Sequence, residues 1–227
     1  MIFWIIIFII VIFISLILAV LSMKDYSKIQ KIPNIEYGLF LIRRTSHLSL
    51  EILNNIWTDL ENDLVSFEKL FKGEESALLI YGPKDLLKSF YFELNLLELE
   101  DYIPKDEDSL YFWEFGLKGD LSRLENLYEK LPTLSKTEQF WLQIVLGSIH
   151  QRNVFRGEIR AVVYSQDSLS SAKLVHFLRN LSPSYLIRLP KAYSNKQILD
   201  SYKSRSLGLK ETKTVLNPQQ ILKLLQV

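Results

Sequence analysis

The chain has 227 residues, 48% of them hydrophobic and 12% aromatic, with a net charge of +1 and no cysteine. That excludes disulfides, thiol nucleophiles and thiolate metal sites, and it fits a reducing compartment. The near-neutral total conceals a division, because residues 51–149 carry 20 acidic and 9 basic side chains whereas residues 150–227 carry 4 acidic and 13 basic.

In chain order, the first predicted element is a membrane span. Ile2–Leu21 is an almost unbroken run of Ile, Phe, Val and Leu, with Ser15 as its one polar side chain. At ~1.5 Å per helical residue such a run crosses the ~30 Å hydrocarbon core of a bilayer. A cleavable signal peptide is the competing reading, but no Lys or Arg precedes the run and no small-x-small cleavage site ends it. Lys24, Lys28, Lys31, Arg43 and Arg44 follow the run. The positive-inside bias therefore expects an inner-membrane protein with its N-terminus outside and residues 24–227 in the cytoplasm. Residues 1–23 are read as the anchor and residues 24–36, polar and containing Pro33, as a linker.

Beyond the linker, Tyr37–Arg44 reads as a strand and Ser49–Leu64 as a helix with Leu53, Ile56, Trp57, Leu60 and Leu64 on one face. Val65–Lys72 and Ser76–Gly82 read as strands about a turn at Gly73–Glu75, followed by a helix from Pro83 to about Leu94 and a strand over Leu96–Tyr102. That is βαββαβ, the ferredoxin-like order. The order returns as a strand over Asp108–Leu117, a helix over Asp120–Leu131, strands over Gln139–Leu146 and Glu158–Ser165, a helix from Ser168 to Leu181 capped by Asp167, and a strand over Tyr185–Leu189. The expected fold is thus α+β, one transmembrane helix followed by tandem ferredoxin-like subdomains over residues 37–104 and 105–190. Residues 191–227 form a basic tail, in which Asn217 and Pro218 start a short helix carrying Ile221, Leu222, Leu224 and Leu225.

Reactive groups give little to build a catalytic site from. His47, His150 and His176 have no metal-ligand spacing, and the acidic stretch Glu98, Glu100, Asp101, Asp106, Glu107, Asp108 lacks a calcium loop's turn glycine. Neither a P-loop, a dinucleotide loop nor a G-x-S-x-G elbow occurs, so no cofactor is expected and the chain is read as a non-enzyme. Tyr111, Trp113 and Phe115 alternate on one strand face, with Leu110 and Phe112 on the other, as a strand buried on both sides would. Arg152, Arg156 and Arg160, helped by Lys191, Lys196, Lys203 and Arg205, are candidates for contact with phosphates or nucleic acid.

Three stretches carry a family resemblance: the strand order from Tyr37 to Tyr102, the segment Glu138-Gln139-Phe140-Trp141-Leu142-Gln143-Ile144, and the ending from Val215 to Leu225. Together they resemble the membrane-proximal, non-ATPase domain of type IV secretion and conjugation ATPases, in the form found in candidate-phyla bacteria. The ending is similar to the family's L-N-T-E-E-L-A-T-L element at Leu216, Asn217 and Leu224, after which a P-loop motor follows in the family; the chain stops there. The resemblance implies a membrane-anchored docking or scaffold component that recruits an ATPase supplied in trans, or DNA cargo. On this reading Asn217, Ile221, Leu224 and Leu225 face the partner. A membrane-tethered enzyme with an unfamiliar site and a self-associating envelope structural protein are the alternatives.

Overall fold

The computed structural model describes residues 35–60, 62–100, 102, 109–119, 121, 124, 126–149, 154–181, 183–189, 195–207 and 214–226. Two compact units divide the chain, residues 1–35 and residues 36–227, and the fold below is that of the second. The expected span over Ile2–Leu21 lies outside the described residues. Among the described residues no helix is long and apolar enough to cross a membrane.

The fold is α+β and is organised by one antiparallel sheet. Its strands are β1 (Tyr37–Ile42), β2 (Leu64–Lys72), β3 (Glu75–Pro83), β4 (Leu96–Leu99), β5 (Leu110–Leu117), β6 (Gln139–Ile149), β7 (Val154–Tyr164), β8 (Leu186–Arg188) and β9 (Val215–Leu216). The order across the sheet is β4-β1-β3-β2-β6-β7-β5-β8, with β9 added on β7. Residues 37–99 are thus arranged fourth, first, third, second, and residues 110–188 are arranged as the mirror of that order. The two sets join where β2 pairs with β6 over nine registered residues, from Leu64↔Gly147 to Lys72↔Gln139. Gly73, at φ +59°, turns the β2–β3 hairpin where a residue with a Cβ would be strained. Gly157 is needed for another reason: a Cβ there would lie 2.6 Å from Leu216, so β9 closes on β7 only over a bare backbone.

Six α-helices lie among the described residues, several of them started by local chemistry. Ser49 caps α1 (Leu50–Asp59) by accepting from the Ile52 N–H, and Asp167 caps α4 (Ser168–Arg179) by accepting from Ser170 N–H at 2.8 Å. Between them lie α2 (Lys84–Lys88) and α3 (Tyr91–Leu94). These replace the single helix expected from Pro83 to Leu94, because the Ser89 hydroxyl donates to the Leu86 carbonyl and offers the backbone an exit from the helix. Asn95, at φ +48°, then closes α3. Described residues of the expected helix over Asp120–Leu131 form turns instead. There the Asn126 side chain accepts from the Tyr128 N–H at 2.9 Å and Pro132 follows, both unfavourable to a continued helix. A helix not foreseen from the sequence, α5, spans Asn195–Lys203, and α6 spans Pro218–Leu225.

Both faces of the sheet are covered. On one face, Ile52, Leu53 and Ile56 of α1, Leu174 and Leu178 of α4, and Ile221, Leu224 and Leu225 of α6 join Val65, Phe67, Leu142, Ile144 and Phe155 in the larger core. On the other, Ile198, Leu199 and Tyr202 of α5 pack with Leu110, Phe112, Trp141, Val162 and Tyr164. This accounts for the aromatic pattern of β5: Trp113 and Phe115 enter the first core, Leu110 and Phe112 the second, and Tyr111 alone stays 40% exposed. It also explains why β6, and the Ala161–Tyr164 end of β7, read as nearly continuous apolar runs rather than alternating ones.

Candidate functional site

The terminal helix is not a free docking element. Asn217 and Gln220 cap it reciprocally, each side chain accepting from the other's backbone N–H at 2.9 Å, with Pro218 at the first helical position. Its apolar side, however, points inward: Ile221, Leu224 and Leu225 are fully buried, and the Tyr128 hydroxyl donates to the Leu224 carbonyl at 2.8 Å. An amphipathic helix seeks the nearest apolar surface, and here α1 and β2 of the same chain supply it. The expectation that these three residues face a partner is corrected accordingly.

The basic candidates also separate. Arg152 lies outside the described residues, as do Lys191 and the side chain of Lys196, and Arg156 is exposed on β7 opposite Val215. Arg160 is fully buried and cannot reach a phosphate. Its guanidinium donates to the Glu158 carboxylate, to Gln143 Oε1 at 3.2 Å, and to the carbonyls of Ser201 and Ser206 at 3.0 and 2.7 Å, while Nε lies 3.5 Å from Glu114. Arg205, 5% exposed, donates to Glu68 at 2.8 Å and lies 4.7 Å over the Tyr81 ring.

These groups form a row set by strand register. Glu68 of β2 stands opposite Gln143 of β6, Gln143 opposite Arg160 of β7, and Arg160 opposite Glu114 of β5. The α5 segment closes over the row. Gln143 Nε2 donates to Glu68 and to the Tyr202 carbonyl, the Tyr102 hydroxyl donates to Glu68 at 2.8 Å, and the Tyr102 and Tyr202 hydroxyls are 2.6 Å apart. Buried charge is tolerated only when it is paired and hydrogen-bonded; Glu68, Glu158, Arg160 and Arg205 have hydrogen-bonded partners, and Glu114 faces the Arg160 Nε. Burial pushes the Tyr102 hydroxyl well above the usual phenol range, with Glu68 and Tyr202 adding to the effect. Burial likewise raises the Glu114 carboxyl; Arg160 opposes that rise and Glu158 adds to it. The row ties α5 to the sheet.

A concavity does lie along α4. Leu169, Ala172, Lys173, His176 and Asn180 form one wall, Lys130, Pro132 and Pro183 stand opposite, and Phe177 contributes to the floor, enclosing about 780 Å³. An adjoining hollow of about 450 Å³ shares Lys130, Phe177, Asn180 and Pro183 and adds Glu129 and Tyr185. The wall is a helical stripe, since residues 169, 172, 173, 176 and 180 recur at the 3-4 spacing that keeps side chains on one side of a helix. Leu169 is 67% exposed, unusual for a leucine on the capped first turn of a packed helix. The Asn180 amide donates to the His176 carbonyl at 3.0 Å and fixes the helix end beside the groove. Such a groove has an apolar floor and cationic rim groups, and it can seat an anionic chain segment that carries apolar side chains.

Of the histidines, His47 sits in a short 3-10 turn over Thr45–His47, His176 on α4, and His150 outside the described residues. Among the described residues no group of three His, Asp or Glu could hold a metal ion. In the acidic stretch, Glu98 pairs with Lys84 at 2.7 Å and most of the remainder lies outside the described residues. Comparison with protein-family models and with curated proteins matches neither to this chain.

Proposed function

We propose that the protein is a membrane-anchored, non-catalytic docking component of a type IV secretion or conjugation-like system, which holds a P-loop ATPase supplied in trans, or its DNA cargo, at the inner membrane. The anchor is Ile2–Leu21, with the N-terminus outside and the folded unit cytoplasmic. The folded unit is read as two ferredoxin-like subdomains fused edge to edge, a reading supported by the mirrored strand order across the β2–β6 junction. Confinement to the bilayer raises the effective concentration of a weakly bound partner, so a shallow contact suffices.

The observation that carries this reading is the α4 groove: it is open, floored by Phe177, flanked by Lys130, Lys173 and His176, and built on a capped helix rather than on a loop. The buried ionic row supports it as well, because Glu68, Arg160 and Arg205 already serve to hold α5. The test is affinity purification of the intact protein from detergent-solubilised native membranes, followed by mass spectrometry. Recovery of a P-loop ATPase at a fixed ratio is the expected result. Recovery of the protein alone, at monomer mass, sinks the reading. Deleting residues 216–227 is unsuitable for mapping the contact, since it removes core residues Ile221, Leu224 and Leu225.

A further inference from the structure

We propose that the α4 groove binds an acidic amphipathic helix of a partner protein; this rests on the docking reading and names the chemistry of the partner. Three features select that occupant. The stripe from Leu169 to Asn180 covers eleven helical steps, about 16 Å at ~1.5 Å each, which matches three turns of a second helix laid alongside it. Apolar surface is exposed where such a helix would lie: Leu169 is 67% exposed at the start of α4, and Ala172 and Pro183 are exposed along the groove, while Phe177 closes the floor from the core. The charged groups lining the cavity are cationic, namely Lys130 and Lys173, with the His176 imidazole beside them; Asp167, which interacts with Lys173, and Glu138, bonded to Ser170, stand at the cap of α4, and Glu129 lines the adjoining hollow.

The arrangement discriminates between classes of polyanion. Nucleic-acid phosphates would engage the two lysines but gain nothing from an apolar floor that lacks a flat aromatic platform, since Phe177 is only 6% exposed. A helix with Leu or Phe at i, i+3, i+4 and i+7 and with Asp or Glu flanking them satisfies floor and rim together. Apolar contact supplies the affinity, while the lysines steer encounter and set orientation.

The test uses the full-length protein in lipid nanodiscs and fluorescence anisotropy. The probe is a labelled peptide of about 14 residues, with Leu at i, i+3, i+4 and i+7 and Glu elsewhere; a scrambled peptide of the same composition and a short single-stranded DNA serve as comparisons. The patterned peptide is expected to bind at least about tenfold more tightly than the scrambled one. Lys130→Glu with Lys173→Glu, and separately Leu169→Asp, should each weaken it at least about tenfold. Lys88→Glu, an equal charge reversal on exposed α2, should change it less than about twofold. The substituted residues are exposed, so unchanged melting temperatures confirm folding. Equal binding of both peptides, or insensitivity to the groove variants, overturns the proposal. So does DNA binding that the same variants abolish. An ATPase that co-purifies equally well with the Lys130→Glu/Lys173→Glu variant removes the groove assignment and leaves the docking reading standing; failure to recover any ATPase, with the peptide still bound in the groove, does the reverse.

Discussion

Arg160 shows how one side chain changes meaning with its neighbours. In the sequence it is one of three arginines at near-regular spacing in a basic region, an arrangement that suits phosphate contact. In the fold it is the buried hub between Glu114 and Glu158. No local pattern foretells this, because the partners come from β5, β6 and the α5 segment, and only strand register aligns them. Burial disfavours the charged form of the Glu114 carboxyl and the neighbouring Glu158 adds to the effect against the pull of Arg160, so Glu114 takes up a proton more readily folded than unfolded. With the folded value raised, the stabilising contribution is full below the unfolded carboxyl range and is lost as pH rises through the folded value. Glu114→Gln should therefore raise the melting temperature at pH 7, with the advantage disappearing towards pH 4, where the native carboxyl is protonated. Arg160→Met should act in the opposite direction, costing about 3–5 kcal/mol at pH 7 by leaving both carboxylates uncompensated. Melts of the three proteins across pH check the pair; a pH-independent Glu114→Gln effect would refute the buried-carboxyl account.

At the scale of elements, sequence signals located starts better than destinations. The caps at Asp167 and Asn217, the turn at Gly73 and the strands β2 and β3 lie within a residue or so of where pattern and capping chemistry put them, and the helix expected over Ser49–Leu64 starts there but ends at Asp59, with Leu64 already in β2. Helix α5 carries a weak sequence signal, because Ile198, Leu199 and Tyr202 are its only apolar residues and the sheet face they pack on, formed by Leu110, Phe112, Trp141, Val162 and Tyr164, lies far earlier in the chain. The α4 groove was equally hidden, since its opposite wall is formed by turns where a helix was expected. Helix α6 was recognised, but its partner was not: an apolar stripe reports that something covers it, not what. If α6 belongs to the core, Leu224→Ala should cost about 2–5 kcal/mol in urea unfolding of the detergent-solubilised protein. Asn217→Ala, which removes half of the reciprocal cap, should cost about 0.5–2 kcal/mol. A Leu224→Ala variant with wild-type stability and weakened partner recovery would instead return α6 to the surface.

For the folded unit as a whole, the junction between β2 and β6 decides whether residues 36–227 behave as one body or two. Strand β2 is nine residues long, and a bare edge of that length is a template for unwanted pairing unless covered. Here β6 covers it, and the apolar pattern alone does not name that partner, because Val65, Phe67 and Phe71 of β2 would pack beside many strands. The core offers no seam at the junction: Phe67 and Leu78 on one side belong to the same buried cluster as Ile144 and Phe155 on the other, and α6 packs on α1 and β2 after the chain has passed through the second half. Separation would strip nine registered pairs, expose that cluster and break the Glu68–Gln143 and Glu68–Arg205 bonds. Opening one half alone is therefore nearly as costly as opening both, which predicts a single cooperative transition. Hydrogen exchange of the intact protein in nanodiscs, followed by mass spectrometry, reads this directly. Peptides from β2, β3, β6 and β7 should exchange with one common opening free energy, and Phe67→Ala should lower all four together. If Phe67→Ala accelerates exchange in β2 and β3 while β6 and β7 stay protected, the halves open independently, and the junction is an interface between two domains instead of the centre of one.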